Sequence, residues 1–246
     1  MSRRAAASTP AAWSLPHRLA RLVVGQLLFG LALAMLLRAG LGASPWDVLH
    51  QGLTTLSGWP FGLVVLLSGV VVLLLWVPLR VRPGVGTVAN VVLVAAAIEA
   101  GLRLLPPAGW WLPAVALLVG GVLLNGAATA LYVGAALGPG PRDGLMTGLA
   151  ARTGLRVGPV RAAIEVSVVA AGWALGGTVG VGTVAYALGI GPVVGLLLPR
   201  LSMPGAGAAV GTAPAGDVRP PSTARGRRRG PRRGPGHGSG AVGPGE

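Results

Sequence analysis

Four acidic residues interrupt the first 200 positions of this 246-residue chain: Asp47, Glu99, Asp143 and Glu165. All four lie within or beside long apolar stretches, where a carboxylate does one of two things. It holds structure, as a helix cap or ion-pair partner, or it takes up a proton or cation from a bundle interior. Two of the acids belong to a matched pair. "GASPWDVL" at 42–49 and "GPGPRDGL" at 138–145 each place an Asp two residues after a Pro, 96 positions apart.

Ser44-Pro45-Trp46-Asp47 reads as a helix start, with Ser44 at the N-cap, Pro45 at the first helical position and Asp47 at the third. An Asp there can reach back to the N-cap amide and meets the positive end of the helix dipole. Gly140-Pro141-Arg142-Asp143 repeats the arrangement with Gly as cap. The spacing predicts short helices over Pro45–Leu56 and Pro141–Ala151, too short to cross a bilayer and therefore interfacial or re-entrant. Two roles stand for the Asp pair: helix caps, or related residues lining an access path. Gly86-Thr87 and Gly182-Thr183 are similar twins at helix starts, fitted either to close helix packing or to ligand binding.

Glu99 and Glu165 are unpaired by the repeat, since Gly195 and Gly69 occupy the equivalent places. Arg103 follows Glu99 by four residues and Arg161 precedes Glu165 by four, the spacing of same-face ion pairs. A proton or cation site is the competing role. Asn125, mid-span in an uncharged stretch, fits an interhelical hydrogen bond. Zero Cys excludes thiolate nucleophiles and Cys-ligated metals, and His17, His50 and His237 are scattered without metal-ligand spacing. "DGLMTGLAARTG" has a partial likeness to the signature of membrane phosphatidyl-alcohol transferases, but Ala151-Arg152 comes too late and the later Asp pair is absent. With no nucleophile elbow and no phosphate-binding loop, an enzyme, a cofactor and a metal are not expected.

The elements that position these residues follow from composition. Twenty basic residues, all Arg, stand against six acids, and 52% of the chain is hydrophobic. No charge occurs from Leu104 to Pro141 or from Val166 to Pro199. These runs are of bilayer-spanning length, so an all-α, polytopic membrane bundle is expected. Six spans are predicted: Arg18–Leu37, Gly62–Leu79, Val85–Leu105, Trp111–Ala136, Gly158–Leu175 and Val181–Pro199. Arg3 and Arg4 before the first run resemble a signal peptide, but that run belongs to the internal repeat, so cleavage is not expected.

Shifted by 96, the halves align without a gap: six of twelve positions match between 42–53 and 138–149, and "GVGTV" recurs at 84–88 and 180–184. This is an ancient duplication, with repeats at about 20–104 and 116–200. Three spans per half make the second copy enter the membrane in the opposite sense. With the N-terminus cytoplasmic, the inner side holds Arg18, Arg21, Arg80, Arg82, Arg142, Arg152, Arg156, Arg161 and Arg200, and the outer side only Arg38 and Arg103. That bias follows the positive-inside rule, placing both termini in the cytoplasm. A cytoplasmic segment (1–16), a transmembrane domain (17–200) and a disordered Arg/Gly/Pro-rich cytoplasmic tail (201–246) result. The tail is suited to anionic lipid headgroups, and specific nucleic-acid binding is not expected. Membrane lipids are the expected partners, and homo-oligomer formation stays open.

"GLGASPWDVLHQGL", "RPGVGTVAN", "LGPGPRDGLMTGLA", "RAAIEVSVVAAGWALGG" and "VGVGTVAYALGIGP" together resemble the YczE/YitT-type family of bacterial integral membrane proteins, particularly its actinobacterial YczE-like branch. The resemblance covers roughly Gly25 to Pro199. It implies a multi-pass bacterial inner-membrane protein and carries no biochemical activity with it. Inverted repeats favour a small-molecule transporter or permease-like protein of unknown substrate; an accessory or regulatory protein acting through a partner is the alternative. The repeat generates a topological test. Single Cys residues at Ser57 and Thr153 should be labelled by an impermeant reagent from opposite sides of the membrane, and labelling from one side would overturn the inverted arrangement.

Overall fold

The structure, a computed structural model, describes residues 14–202; the N-terminal segment before them and the tail after them, including the disordered-tail expectation, lie outside the described residues. Eight α-helices follow in order: α1 (Leu15–Ala39), α2 (Pro45–Ser57), α3 (Phe61–Leu79), α4 (Val85–Leu104), α5 (Trp111–Gly134), α6 (Pro141–Thr153), α7 (Val157–Ala174) and α8 (Val181–Leu201). Six of them, α1, α3, α4, α5, α7 and α8, are long and apolar enough to cross a membrane. The short helices α2 and α6 fall between the first and second long helix of each half. Among the described residues there is no strand. The chain is an all-α, multi-pass membrane protein.

The starts of α1 to α4 at Leu15, Pro45, Phe61 and Val85 recur at Trp111, Pro141, Val157 and Val181, each 96 residues on. Local chemistry repeats with them. Both short helices begin at a Pro, whose fixed φ and missing N–H suit the first turn, and end at a left-handed Gly, Gly58 and Gly154, each at φ 71°. Arginines satisfy open carbonyls at several helix ends. Arg18 donates to the Ala135 and Ala136 carbonyls at 2.9 and 2.7 Å, Arg21 to Leu201 and Arg38 to Leu102.

Contacts come in reciprocal sets. A Cβ on Gly25 of α1 would meet Ala128 and Tyr132 of α5, and one on Gly121 of α5 would meet Ala32 and Leu36 of α1. These are the same contacts with the halves exchanged, as across a two-fold interface. In like fashion Gly30 packs on Ala97 of α4, and Gly126 on Val193 of α8. Small residues let these backbones approach closely, which is how helices associate where water supplies no driving force.

The short helices are exchanged between halves. Helix α2 lies chiefly against α7, and α6 against α3. The two crossings are filled in complementary ways. On one, the Trp76 indole of α3 fills the space that a side chain on Gly144 would need, approaching to 2.0 Å of a built Cβ, and its Nε1–H donates to the Pro141 carbonyl at 3.0 Å. On the other, the position equivalent to Trp76 is Gly172, and it abuts the Val48–Leu49 backbone. Gly144→Val therefore overpacks the first crossing and should cost about 3 kcal/mol or more. Trp76→Ala opens a cavity at about 3–5 kcal/mol. Combining them should cost clearly less than the sum in thermal unfolding, because the two side chains compete for one space; simple additivity would refute the packing assignment.

Candidate functional site

Both short helices start inside the protein and end at its surface. Pro45 to Val48 are buried, while Thr55 to Trp59 are exposed; in α6, Gly140 and Pro141 are buried and Ala151 to Arg156 are exposed. The first turns, with the PWD and PRD triplets, are thereby brought to the interior. Trp46 and Arg142 are equivalent by the 96-residue offset, and they touch each other: the Arg142 guanidinium carbon lies 5.0 Å from the centre of the Trp46 ring. Equivalent residues in contact must lie at the axis relating the halves. A cation over an indole face is favourable, the more so when desolvated. Arg142, placed by sequence with the inner-side loop charges, instead turns inward, where it acts on both Asp47 and Asp143.

Asp47 is fully buried and does not cap its helix through a backbone amide. The Ser44 hydroxyl donates to its Oδ2 at 2.5 Å, and His50 Nδ1 lies 3.1 Å from Oδ1. A carboxylate only accepts, so Nδ1 carries the proton and Nε2 is left as the acceptor of a neutral ring. Burial is the largest influence on Asp47 and pushes its carboxyl up, yet the His50 hydrogen bond, Arg142 and the Ser44 hydroxyl together hold it below the ordinary range. Burial lowers the His50 imidazole, with Arg142 adding to it and Asp47 opposing. Asp143 has none of this support. Its half has Gly140 where Ser44 stands and Met146 where His50 stands, and burial pushes its carboxyl up against the pull of Arg161 and Arg142. The twin acids are chemically opposite: one a supported carboxylate, one biased towards the neutral acid.

Beside this network lies a chamber of about 900 Å³ between α2, α3, α6 and α7. Its lining is paired by the repeat: Leu49 with Leu145, Leu53 with Leu149, Val64 with Val160 and Val72 with Val168, all at the 96-residue offset. The chamber therefore straddles the junction of the halves. Trp46 belongs to its wall, so one indole touches both the chamber and Arg142.

Residues 16–199 match the model of a family of unknown function, DUF6198. The chain belongs to DUF6198. A curated relative from Haemophilus influenzae, called "Uncharacterized protein", is 39% identical over 70% of this chain and 78% of its own. The "Uncharacterized membrane protein YczE" of Bacillus subtilis is 33% identical over 71% of this chain and 81% of its own. The YczE-like resemblance read from the motifs is thus a family relationship. No solved structure matches.

In this DUF6198 chain the other candidate residues fall into distinct places. Glu99 stands apart from the central network: Arg103 donates to its Oε1 at 3.0 Å, and its Oε2 accepts from the Gly62 amide at 2.9 Å, satisfying an open N–H at the start of α3. Glu165 accepts from Arg161 at 2.8 Å, and both act on Asp143. Gly86, Thr87, Gly182 and Thr183 are taken up by the contacts between halves. The Gly86 amide donates to Leu137 at 2.9 Å, the Gly182 amide to Leu41 at 2.7 Å, and Thr87 Oγ1 to Pro139 at 2.8 Å; Thr183 Oγ1 accepts from the Gly180 amide at 3.3 Å. Asn125 accepts from the Tyr186 hydroxyl of α8 at 3.1 Å, the interhelical bond its position suggested, and its own amide nitrogen is buried without a partner among the described residues. No three His, Asp or Glu side chains among the described residues form a metal-ligand group. His50, which the sequence presented only as a scattered histidine, is the residue sequence reasoning missed; its i,i+3 spacing from Asp47 was the available signal.

The supports of the two acids set the pH dependence. His50 folds with a pKa below the ordinary 6.5, so the unfolded chain binds more protons just below that value. Its contribution to stability is complete above 6.5 and declines as pH falls. Asp143, raised above 3.8, has the opposite sign: its contribution is present below that value and is lost as pH rises through the folded value. Between about pH 7 and about pH 5 the His50 contribution should pull the melting temperature in detergent downward on acidification, so His50→Gln should shift the slope upward relative to the parent protein. Equal slopes in the two proteins would refute the assignment.

Proposed function

We propose that this protein is a permease-like small-molecule transporter of the bacterial inner membrane, with both termini cytoplasmic and its halves inserted in opposite senses. The observation that carries the reading is the chamber. It lies between the two repeats and is lined by equivalent residues of each, which is where transporters built from inverted repeats bind their solute. Rocking of one half against the other would expose such a site alternately to the two sides. Short helices that begin inside the protein supply the discontinuous elements this class uses.

Coupling falls to the polar network behind Trp46. Asp47 and His50 form a buried acid–base pair, and Asp143 is a carboxyl prepared to take up a proton. Arg142 sets the charge felt by all three. Movement of the halves across the axis would alter the distance of Arg142 from each Asp and so exchange their affinities for the proton.

Reconstituted vesicles, a panel of labelled solutes and an imposed pH gradient test this reading. Saturable, gradient-stimulated uptake is expected. Asp47→Asn and Asp143→Asn should each lower it about tenfold or more per folded molecule, the effect of about 1.4 kcal/mol, and only Asp47→Asn, which loses a supported carboxylate, should also lower the melting temperature at neutral pH. Full flux in both variants would remove the Asp pair from the mechanism. No flux with any solute, together with stable co-purification of a second protein, would replace transport by an accessory role.

A further inference from the structure

We propose that the chamber takes a single-chain amphiphile with an anionic head group, entering sideways from the bilayer between α3 and α7. The proposal rests on reading the chamber as the transport site, and it names the class of molecule that site accepts.

Four observations carry it. First, the wall is almost wholly apolar, with only isolated hydroxyls such as Ser68 and Ser167 among Leu, Val and Ala. A sugar or amino acid would leave its polar groups without partners there, at a cost that no contact in the wall repays. Second, the wall on α3 is open: Leu67, Val71 and Leu75 are exposed at 38%, 56% and 47%, and α3 is one of the helices apolar and long enough to cross a membrane. A wall open along a membrane-crossing helix meets hydrocarbon along its length, which is the proposed route of entry. Third, the chamber follows α3 from Val64 to Leu75, about 16 Å of helix, a length suited to an extended chain. Its volume, about 900 Å³, is at the upper end of ligand sites.

The fourth observation is charge, and it breaks the symmetry of the ends. Ser57 and Trp59 line the end next to the start of α3, where residues 51–79 carry no charge and Glu99, on the Gly62 amide, is neutralised by Arg103. At the opposite end, Arg152 of α6 donates to the Pro78 carbonyl near the end of α3. Arg156 precedes α7 there, Arg80 and Arg82 follow α3, all four arginines are exposed, and no acid lies in either segment. The positions equivalent to Arg152 and Arg156 in the other half are Leu56 and Pro60. An anionic head at the arginine end, with its chain along α3 towards Trp59, matches this distribution. Guanidinium groups suit carboxylate and phosphate alike.

A photoreactive fatty acid tests the site, with the full chain in vesicles of zwitterionic phospholipid and crosslinks mapped by peptide mass spectrometry. Saturable labelling is expected on 64–75 and 159–168, displaced roughly tenfold better by unlabelled fatty acid than by the alcohol of the same chain. Ala163→Trp, at an exposed wall position where added bulk need not disturb the core, should remove the saturable labelling while the protein still melts cooperatively. The double variant Arg152→Gln/Arg156→Gln should keep the labelling and lose the preference for the acid. Labelling spread over the lipid-facing surfaces without saturation would overturn the proposal, as would labelling indifferent to Ala163→Trp or equal displacement by the alcohol. Specific labelling without flux of any solute keeps the site and removes the transport reading. Flux of a polar solute without specific labelling does the reverse.

Discussion

Two backbone hydrogen bonds hold the architecture to one solution. The Gly86 amide at the start of α4 donates to Leu137, in the link between α5 and α6, and the Gly182 amide at the start of α8 donates to Leu41, in the link between α1 and α2. A helix beginning inside a membrane protein has open N–H groups and no water to meet them. Here each half supplies the missing acceptor for the other. The approach is close enough that a Cβ on Gly180 would lie 2.4 Å from the Leu41 oxygen, and one on Gly84 2.5 Å from the Leu137 oxygen. The repeated GVGT segment is therefore a requirement of the seam: glycine for approach, and a threonine hydroxyl to accept the preceding Gly84 or Gly180 amide.

Once the seams are exchanged, the short helices have to cross over, and the two crossings need not stay alike. Trp76 against Gly144 and Gly172 against Val48 place bulk on opposite partners of equivalent contacts. Each change would have been costly alone in a close-packed interior, and each is accommodated by its local neighbour. The same divergence is visible in the acids. Ser44 and His50 support Asp47, whereas Gly140 and Met146 leave Asp143 to burial and distant arginines. A repeated scaffold carries two unlike carboxyls at equivalent positions, Asp47 fully buried and Asp143 partly so.

Much of the scaffold was legible because it depends on local pattern. Uncharged runs mark the long helices, Pro45 and Pro141 mark the short ones, and one offset relates every helix start. The site was legible only in part. Ser44 and Asp47 were recognisable as a first turn, but the carboxylate receives the serine hydroxyl on one oxygen and meets His50 on the other, and not the N-cap amide. Glu99–Arg103 and Arg161–Glu165 follow directly from i,i+4 spacing. That only the second pair acts on Asp143 depends on how α7 meets α6, which no spacing encodes. The chamber was equally hidden, since its lining residues read as ordinary apolar helix positions until α2 and α6 are exchanged.

Trp46 is where these levels meet. Its indole walls an apolar chamber and supports the guanidinium that sets the charge around both acids. On the proposed transport reading, an occupant pressing on that ring would alter the seat of Arg142, and a shift of Arg142 would alter the balance between a carboxylate supported by His50 and a carboxyl whose pKa burial raises. On that reading linkage would make the effect reciprocal: whatever proton uptake did to the ring, occupancy of the chamber would do to proton affinity. The asymmetry of the pair gives this linkage its direction. If the PWD and PRD triplets were identical, displacement of an axial residue towards either Asp would be equivalent, and occupancy could favour neither. With Trp on one side and Arg on the other, the axial contact couples an apolar event to an electrostatic one.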